Sequence, residues 1–516
     1  MKRIQLLSIL ITVSLFVFNA CDKEVTSEYT DLQPLAPANQ DLNAGTWRTV
    51  VTATATDVPV PEPSATNSSE YQAELAATKQ ALAGLTEEQK EIIRYWSAGS
   101  VLRWNEIMRY LVAKHNLAPA PKDDGTYPIP DATNPFAYPE FPFANPPYSA
   151  RAYAYASVAQ YDALVAAWHY KTTYNRPAPY QVDASIQPYH VVTNDLPSYP
   201  LEDAVVAGAA YTMLRALFPA DTTFINKKVN EAAWYKQWAG AAVASDVTAG
   251  LALGKSIASK ALTRAKSDGM KNAIGSLAIQ DSLVQRVETL GEVGWLSLET
   301  PRRPGMLMMF GAVKPWLFNQ ADIATLRPPQ PPSTSSAAFQ EQVAEVKREA
   351  DPTDRDKMRI VHFWADGTGT YTPPGHWNVF AFEEIYNAGQ SEVRAARNFA
   401  LLNMAMMDAA ILCWETKYHY MVPRPSQMDP EIKTLTGVPN FPAYTSGHST
   451  FSAAAATILG HIFPAKAATF NDWANEASLS RLYGGIHYRM DCEAGLVSGS
   501  AVGGLAVQRA QTDGAE

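Results

Sequence analysis

Apolar residues recur at helical spacing through long, Ala-rich stretches of the chain: Ser69 to Leu85, Thr86 to His115, Ala150 to Trp168, Glu392 to Lys417 and His448 to Ile462. That period, filled with strong helix formers, predicts helices. Alternation of β-branched residues is scarce, so the pattern predicts an all-α protein. Two proline-heavy connections, Pro119 to Pro147 and Pro301 to Pro332, interrupt it. Connections of this length inside a compact domain often form the mouth or lid of a functional site.

The first residues follow another rule. Met1-Lys2-Arg3 precedes the apolar run Ile4 to Phe18, the basic-then-hydrophobic order of an export signal and too short for a convincing membrane span. Phe18-Asn19-Ala20-Cys21 is similar to a bacterial lipoprotein signal, with Phe18 where Leu is usual. Residues 1–20 are therefore expected to be a signal peptide and Cys21 the lipidated residue of an exported protein, periplasmic or at the cell surface, held to a membrane by that anchor alone. Residues 21–67, rich in Thr, Pro, Ala and Asp without a helical period, predict a flexible tether.

Composition narrows the partners. The chain has 516 residues, 47% of them hydrophobic and 18% charged, and a net charge of -9. This is a globular composition, and the negative balance argues against nucleic acid while leaving room for one local basic pocket. Beyond Cys21 only Cys413 and Cys492 occur, which predicts buried thiols on helices and no disulfide framework.

The chain also resembles itself. Arg151, Asp162-Ala163, Trp168 and Lys171 recur as Arg397, Asp408-Ala409, Trp414 and Lys417, an offset of 246 positions (151 to 397). Arg176-Pro177 is echoed by Arg424-Pro425. Tyr199, Thr212, Leu214 and Phe218-Pro219-Ala220 then match Tyr444, Thr457, Leu459 and Phe463-Pro464-Ala465 at an offset of 245 (199 to 444), as Asp246 matches Asp491. Two pseudo-symmetric helical bundles from an internal duplication are the simplest account. The expected division is a first bundle over 68–300, a connection that lines the pocket over 301–396, and a second bundle over 397–516. Only the second carries chemistry throughout. Leu201-Glu202-Asp203 stands opposite Ser446-Gly447-His448, and Lys236 and Ala242 stand opposite Arg481 and His487.

Three blocks of the second bundle describe a pocket for a tetrahedral oxyanion. Lys417, Arg424 and Arg481 supply three cations, two of them planar forks suited to bidentate oxygen contacts. Ser446-Gly447 falls where a helix should begin, with free backbone donors, although Ser446 would also serve as an ordinary N-cap. His448 and His487 titrate in the range that acid-base or ligand chemistry needs. Gly484-Gly485 permits a sharp turn between Arg481 and His487, and Asp491, four residues on, could orient the imidazole.

The order and spacing of Lys417, Arg424-Pro425, Ser446-Gly447-His448, Ser480-Arg481, His487 and Asp491 resemble the superfamily shared by vanadium-dependent haloperoxidases and type 2 phosphatidic acid phosphatases. Thr445 departs from it, standing where Pro is usual. Trp414, the Phe441-Pro442-Ala443-Tyr444 run, Gly485 to Arg489, and Phe363-Trp364 with Pro373 to Trp377 look like the haloperoxidase branch. The resemblance implies two four-helix bundles and a vanadate cofactor with His487 as the metal ligand. It implies Lys417, Arg424, Arg481, Ser446 and the Gly447 amide on the vanadate oxygens, His448 as the acid-base group, and Trp414 and Phe441 lining the pocket. Lys417 would polarise hydrogen peroxide for attack by a halide, giving a hypohalous-acid equivalent that passes to a small-molecule acceptor. An acid phosphatase in the same pocket, with His487 attacking phosphorus and His448 protonating the leaving oxygen, is the alternative. A non-catalytic anion-binding lipoprotein is a third, favoured if Asp366, His376 and Trp377 form a separate cleft.

Overall fold

The computed structural model describes residue 29 and residues 32–117, 122–126 and 146–516. The leader, Cys21 and most of the first proline-heavy connection lie outside the described residues. All regular structure among the described residues is helical. In chain order the helices are α1 (Ser69–Ala83), α2 (Glu87–Trp96), α3 (Ser100–His115), α4 (Pro146–Tyr174), α5 (Pro179–Val182), α6 (Glu202–Leu217), α7 (Thr222–Trp238), α8 (Ala244–Lys266) and α9 (Leu277–Glu288). There follow α10 (Ile323–Leu326), α11 (Ala337–Glu349), α12 (Arg355–Phe363), α13 (Thr372–Asn387), α14 (Glu392–Tyr420), α15 (Pro425–Met428), α16 (Gly447–Ile462), α17 (Ala467–Tyr483) and α18 (Arg489–Ala510).

Local chemistry sets several of these boundaries. Thr86 and Gln89 close a reciprocal capping box at the start of α2. The helix expected over 86–115 breaks at Gly99, whose φ of 120° no side chain would favour, giving α2 and α3. Ser391 caps α14 by accepting from the Arg394 N–H. α4 and α14, each 29 residues long, pack against one another at the centre and are buried along nearly their whole length. α14 is long and apolar enough to cross a membrane, yet its most apolar window is 94% buried inside the protein, which makes it a core helix.

α6 and α8 pack together against α4, and α16 and α18 do the same against α14. Both pairs approach closely through glycine. A Cβ on Gly254 would lie 2.0 Å from the Val205 carbonyl oxygen, and one on Gly499 would lie 2.2 Å from the Thr450 carbonyl oxygen. The second contact fixes where α16 begins, and the anion pocket is built on that end.

Two expectations need correction. Residues 32–67, read as part of a tether, lie on the bundle: Trp47 and Val60 join the core, and the buried Asp162 carboxylate accepts from the N–H groups of Val50 at 2.8 Å, Val51 at 2.7 Å and Thr52 at 3.0 Å. A polar sequence can pack this way because a buried carboxylate satisfies its backbone donors. The segment 301–396 is more than a connection, since it carries α10 to α13. Its early part is clamped by Asp408, which accepts from Trp316 N–H at 2.9 Å and Leu317 N–H at 2.7 Å. Cys413 and Cys492 are buried free thiols on α14 and α18, as their number predicts.

Candidate active site

The three sequence blocks converge because each sits at a helix end. Lys417 lies in the last turn of α14, Arg424 immediately before α15, Ser446 at the N-cap of α16 with His448 in its first turn, Arg481 in the last turn of α17, and Asp491 in the first turn of α18. His487 occupies the turn between α17 and α18. Gly485 makes that turn possible, with a φ of 72° and the Lys433 carbonyl oxygen 2.7 Å from where a Cβ would stand. His487 and Asp491 are therefore not on one helical turn: the carboxylate reaches back from α18, accepting from the His487 Nδ1 at 2.9 Å and the Tyr488 N–H at 3.0 Å. With Nδ1–H so held, Nε2 carries the lone pair, the arrangement that suits a metal ligand or a nucleophile.

Burial dominates the electrostatics. Lys417, Arg424 and Ser446 are fully buried, and Arg481 and His487 are 2% exposed. Among the described residues none of the three cations pairs with a carboxylate; backbone oxygens hold them. Arg424 donates Nε–H to the Phe441 carbonyl at 2.9 Å and Nη1–H to the Ile486 carbonyl at 2.7 Å, and that Nη1 also faces His487 Nε2 at 3.0 Å. Its Nη2 is buried without a partner, as is Nε2 of His448. Arg481 donates to Ser480 Oγ at 2.9 Å and to the Val361 carbonyl at 3.2 Å.

Lys417 differs from its expected role. Its Nζ donates to the carbonyls of Pro442 at 2.9 Å, Ala443 at 2.9 Å and Thr445 at 2.5 Å, so all three protons brace the loop that leads into Ser446. It contributes its charge to the pocket from behind this loop. Burial, with the Arg424 charge adding to it, pushes Lys417 down to about 7, and burial lowers Arg424 and Arg481 to about 10. Burial also holds both imidazoles well below their usual range, helped by Arg481 at His448 and by Arg424 at His487. Burial raises Asp491 to about 7. Each shift favours the uncharged form, which is the response of a cationic pocket taken out of water.

A cavity of about 370 Å³ opens onto the site. Gly447, His448, Arg481 and His487 reach it, together with Trp414 and Phe441, whereas Lys417, Arg424, Ser446 and Asp491 stand behind that lining. Asp366 lines the same cavity, with Oδ2 4.0 Å from His448 Nε2 and Oδ1 3.1 Å from Nδ1 of His376, whose ring stacks on Trp364. Asp366 and His376 thus adjoin the oxyanion pocket and form no separate cleft. Arg303 and Met306 come from the 301–396 segment expected to line the pocket, though neither was singled out, whereas sequence reasoning missed the rest of their wall, Glu299, Val438, Pro439 and Asn440. The proline-heavy connection was its only signal.

The donor set fits a tetrahedral oxyanion such as vanadate or phosphate. It offers an unused buried guanidinium nitrogen, the His487 Nε2 lone pair, which here accepts from Arg424 Nη1 at 3.0 Å, a serine hydroxyl proton, and the first N–H groups of a 16-residue helix at a glycine where even a Cβ would find no atom closer than 3.8 Å.

Residues 398–514 match the sequence profile of the PAP2 superfamily. The vanadium chloroperoxidase of Curvularia inaequalis is 28% identical over 141 residues, a match spanning 21% of this chain and only 23% of that protein's length. Among solved structures, one described as the first bacterial vanadium-dependent iodoperoxidase superposes with a TM-score of 0.56 at 21% identity, covering 70% of this chain and 91% of that one. A bacterial vanadium-dependent chloroperoxidase in its holo form gives 0.50 at 13% identity, covering 71% and 91%. Residues 398–514 are thus a PAP2-superfamily domain, set in an all-helical chain with the fold of the vanadium haloperoxidases.

Proposed function

We propose that this protein is a vanadate-dependent haloperoxidase, which oxidises a halide with hydrogen peroxide to a hypohalous-acid equivalent. The observation that carries the reading is the buried trio Lys417, Arg424 and Arg481, without a carboxylate partner among the described residues, around a cavity-lining histidine whose Nδ1 is fixed by Asp491 and whose Nε2 lies 3.0 Å from Arg424 Nη1. Burying cations in this way is costly unless an anion completes the site. The relatives described as iodoperoxidase and chloroperoxidase support the choice of anion. Vanadate, when bound, would supply Lewis-acid activation of hydrogen peroxide without changing its oxidation state.

The chain's own residues do the rest. His487 Nε2 would ligate the metal, and Arg424, Arg481, the Ser446 hydroxyl and the Gly447 N–H would hold its oxygens. Lys417 fixes the loop that carries Ser446 and adds positive potential. His448 is kept neutral by burial and by Arg481, so its unpartnered Nε2 is free to take a proton from incoming hydrogen peroxide. The Asp366 carboxylate, 4.0 Å away, would then stabilise the imidazolium until the proton leaves with the oxygen that becomes water. The net change is halide, hydrogen peroxide and a proton giving hypohalous acid and water.

A phosphatase reading has its own support, because the domain that carries all three oxyanion blocks is the one matching the PAP2 superfamily. There His487 Nε2 would attack phosphorus and a protonated His448 would assist the leaving alcohol. The two are separated by full-length protein purified in detergent, assayed with orthovanadate and peroxide for halogenation of a phenolic dye with iodide, bromide and chloride. A vanadate-free sample receives a chromogenic phosphate monoester, and His448→Ala and His487→Ala serve as controls. Halogenation that requires vanadate and is lost with His487→Ala is the expected result. Phosphate release without halogenation under any halide would replace the haloperoxidase reading with the phosphatase.

Two further readings belong to the same proposal. Export with lipidation at Cys21 is supported by the leader's order of basic and apolar residues. An origin in duplication is supported by the parallel between α4 to α8 and α14 to α18, which share order and closely share lengths, with α4 and α14 both 29 residues, α6 and α16 both 16, and α7 and α17 both 17. The bundles over 68–300 and 397–516 would be its two products.

A further inference from the structure

The cavity is larger than the anion it adjoins. At about 370 Å³ it falls within the range of small-molecule pockets, roughly 300 to 1,000 Å³. A tetrahedral oxyanion needs about 120 Å³, taking ~30 Å³ for each oxygen as for a water. The remainder is bounded on one side by Met306, Val438, Pro439 and Phe441. That wall is preorganised: Met306 N–H donates to the Asn440 carbonyl at 2.9 Å, and the Met306 carbonyl accepts from Trp414 Nε1 at 3.0 Å and the Tyr418 hydroxyl at 2.8 Å.

Charge is compensated there. Glu299 Oε1 accepts from Arg303 Nη2 at 2.8 Å, and Asp366 is held by His376. One polar atom remains unsatisfied. Asn440 is 3% exposed and its Nδ2 donates to the Pro304 carbonyl at 2.9 Å, which fixes the amide and leaves Oδ1 as a buried acceptor without a partner. A buried acceptor of this kind costs free energy until a donor reaches it.

We propose that this part of the cavity is a subsite for an uncharged, ring-sized organic group packed on Met306 and Phe441 beside the oxyanion, whose hydroxyl, where it is free, donates to Asn440 Oδ1. The inference rests on the oxyanion reading given above and adds the chemical class of the second ligand. That group has two sources, a free phenol-like acceptor that is halogenated or the alcohol portion of a phosphate monoester. Both present the same ring to the same wall. An extended or charged acceptor would leave the apolar wall wet or bring an unpaired charge against it, and both cost affinity.

The test is calorimetric titration of the full-length protein, which reads binding apart from turnover. Phenyl phosphate is expected to bind at least tenfold tighter than inorganic phosphate, because burial of its ring adds apolar area. Phenol is expected to bind protein already saturated with phosphate or vanadate. Met306→Trp, which fills the subsite, should remove the phenyl advantage and leave inorganic phosphate within about twofold. Asn440→Leu should weaken phenol at least fivefold. Phenol binding identifies the free acceptor as the source; a phenyl phosphate advantage without phenol binding identifies the ester, and either supports the subsite. Phenyl phosphate no tighter than phosphate, or an advantage that survives Met306→Trp, overturns the subsite alone. Failure of inorganic phosphate and vanadate to bind overturns the oxyanion reading and the subsite together.

Discussion

Replacing Asp491 with Asn separates coordination from charge at the centre of the pocket. The carboxylate holds His487 Nδ1 at 2.9 Å and the Tyr488 N–H at 3.0 Å, and an amide of the same shape keeps both contacts through its oxygen while removing the charge. Two effects of opposite sign follow. If the imidazole between them sets a separation of roughly 8 Å, the carboxylate opposes a bound anion by ~2 kcal/mol at an effective dielectric near 20, so any oxyanion gains up to about thirtyfold in affinity when that charge goes. The charge also strengthens His487 as a donor, and loss of such a partner costs a metal site about 10- to 100-fold, or ~1.4 to 3 kcal/mol. Only vanadate feels the second effect; phosphate and vanadate share the first. The ratio of vanadate to phosphate affinity therefore cancels electrostatics and should fall 10- to 100-fold in Asp491→Asn. Calorimetric titration at pH 8 is the assay, above the value of about 7 to which burial raises Asp491, so that the wild-type group is ionised. An unchanged ratio, with both affinities moving together, would refute the argument that Asp491 acts through the histidine.

His487→Ala should abolish measurable vanadate loading and leave inorganic phosphate within about tenfold, since the cations stay; parallel loss of both anions in a folded variant would remove His487 from the ligand role. Sulfate keeps its charge between about pH 5 and 9, so its affinity reports the protein: it should be level below pH 6 and weaken above about 7, where Lys417 gives up its proton and Asp491 becomes charged. A flat profile would show that neither group changes charge in this range, and Lys417→Met and Asp491→Asn should each reduce the slope in a folded variant. Gly499→Ala and Gly254→Ala each press a methyl group into a facing carbonyl and should each cost about 1 to 3 kcal/mol in chemical denaturation. Only Gly499→Ala should also weaken phosphate binding, because it displaces the α16 terminus; equal effects on phosphate would disprove that link.

The site was legible where chemistry lies at fixed spacing along the chain, and obscure where the partner is distant. Ser446-Gly447 read as a helix start because an N-cap serine before an apolar run has a local cause, and α16 begins there. The Gly484-Gly485 pair read as a turn for the same reason. Lys417 stands behind the pocket lining, and its protons go to carbonyls 25 to 28 residues away that no side-chain pattern reveals. The segment 32–67 looked like a tether because its own composition is polar; the Asp162 carboxylate that satisfies its amides lies 110 to 112 residues further on. Met306 belongs to a segment expected to line the pocket, but its pairing with Asn440 was invisible because one hydrogen bond between backbone atoms, at 2.9 Å, joins their two loops.

The contrast between the two halves explains why the chemistry lies in one of them. In the first half, Asp203 stands at the position matched by His448, buried at 1% exposure, accepting from the Ser100 hydroxyl at 2.8 Å and the Tyr235 hydroxyl at 2.7 Å and pairing with Lys236 at 2.7 Å. Lys171, matched by Lys417, lies 3.5 Å from Glu202, and Arg176, matched by Arg424, pairs with Asp246. Every cation there has a carboxylate within the protein. The second half keeps the cations and a similar helical frame but has Gly447 and His448 where Glu202 and Asp203 stand, and its Asp491, matched to Asp246, is turned to His487 instead of to the arginine. Helix order cannot account for function on this comparison, since both halves share it. What differs is whether the protein supplies the anion itself: the first half does, and the second leaves three buried positive charges for a ligand to neutralise.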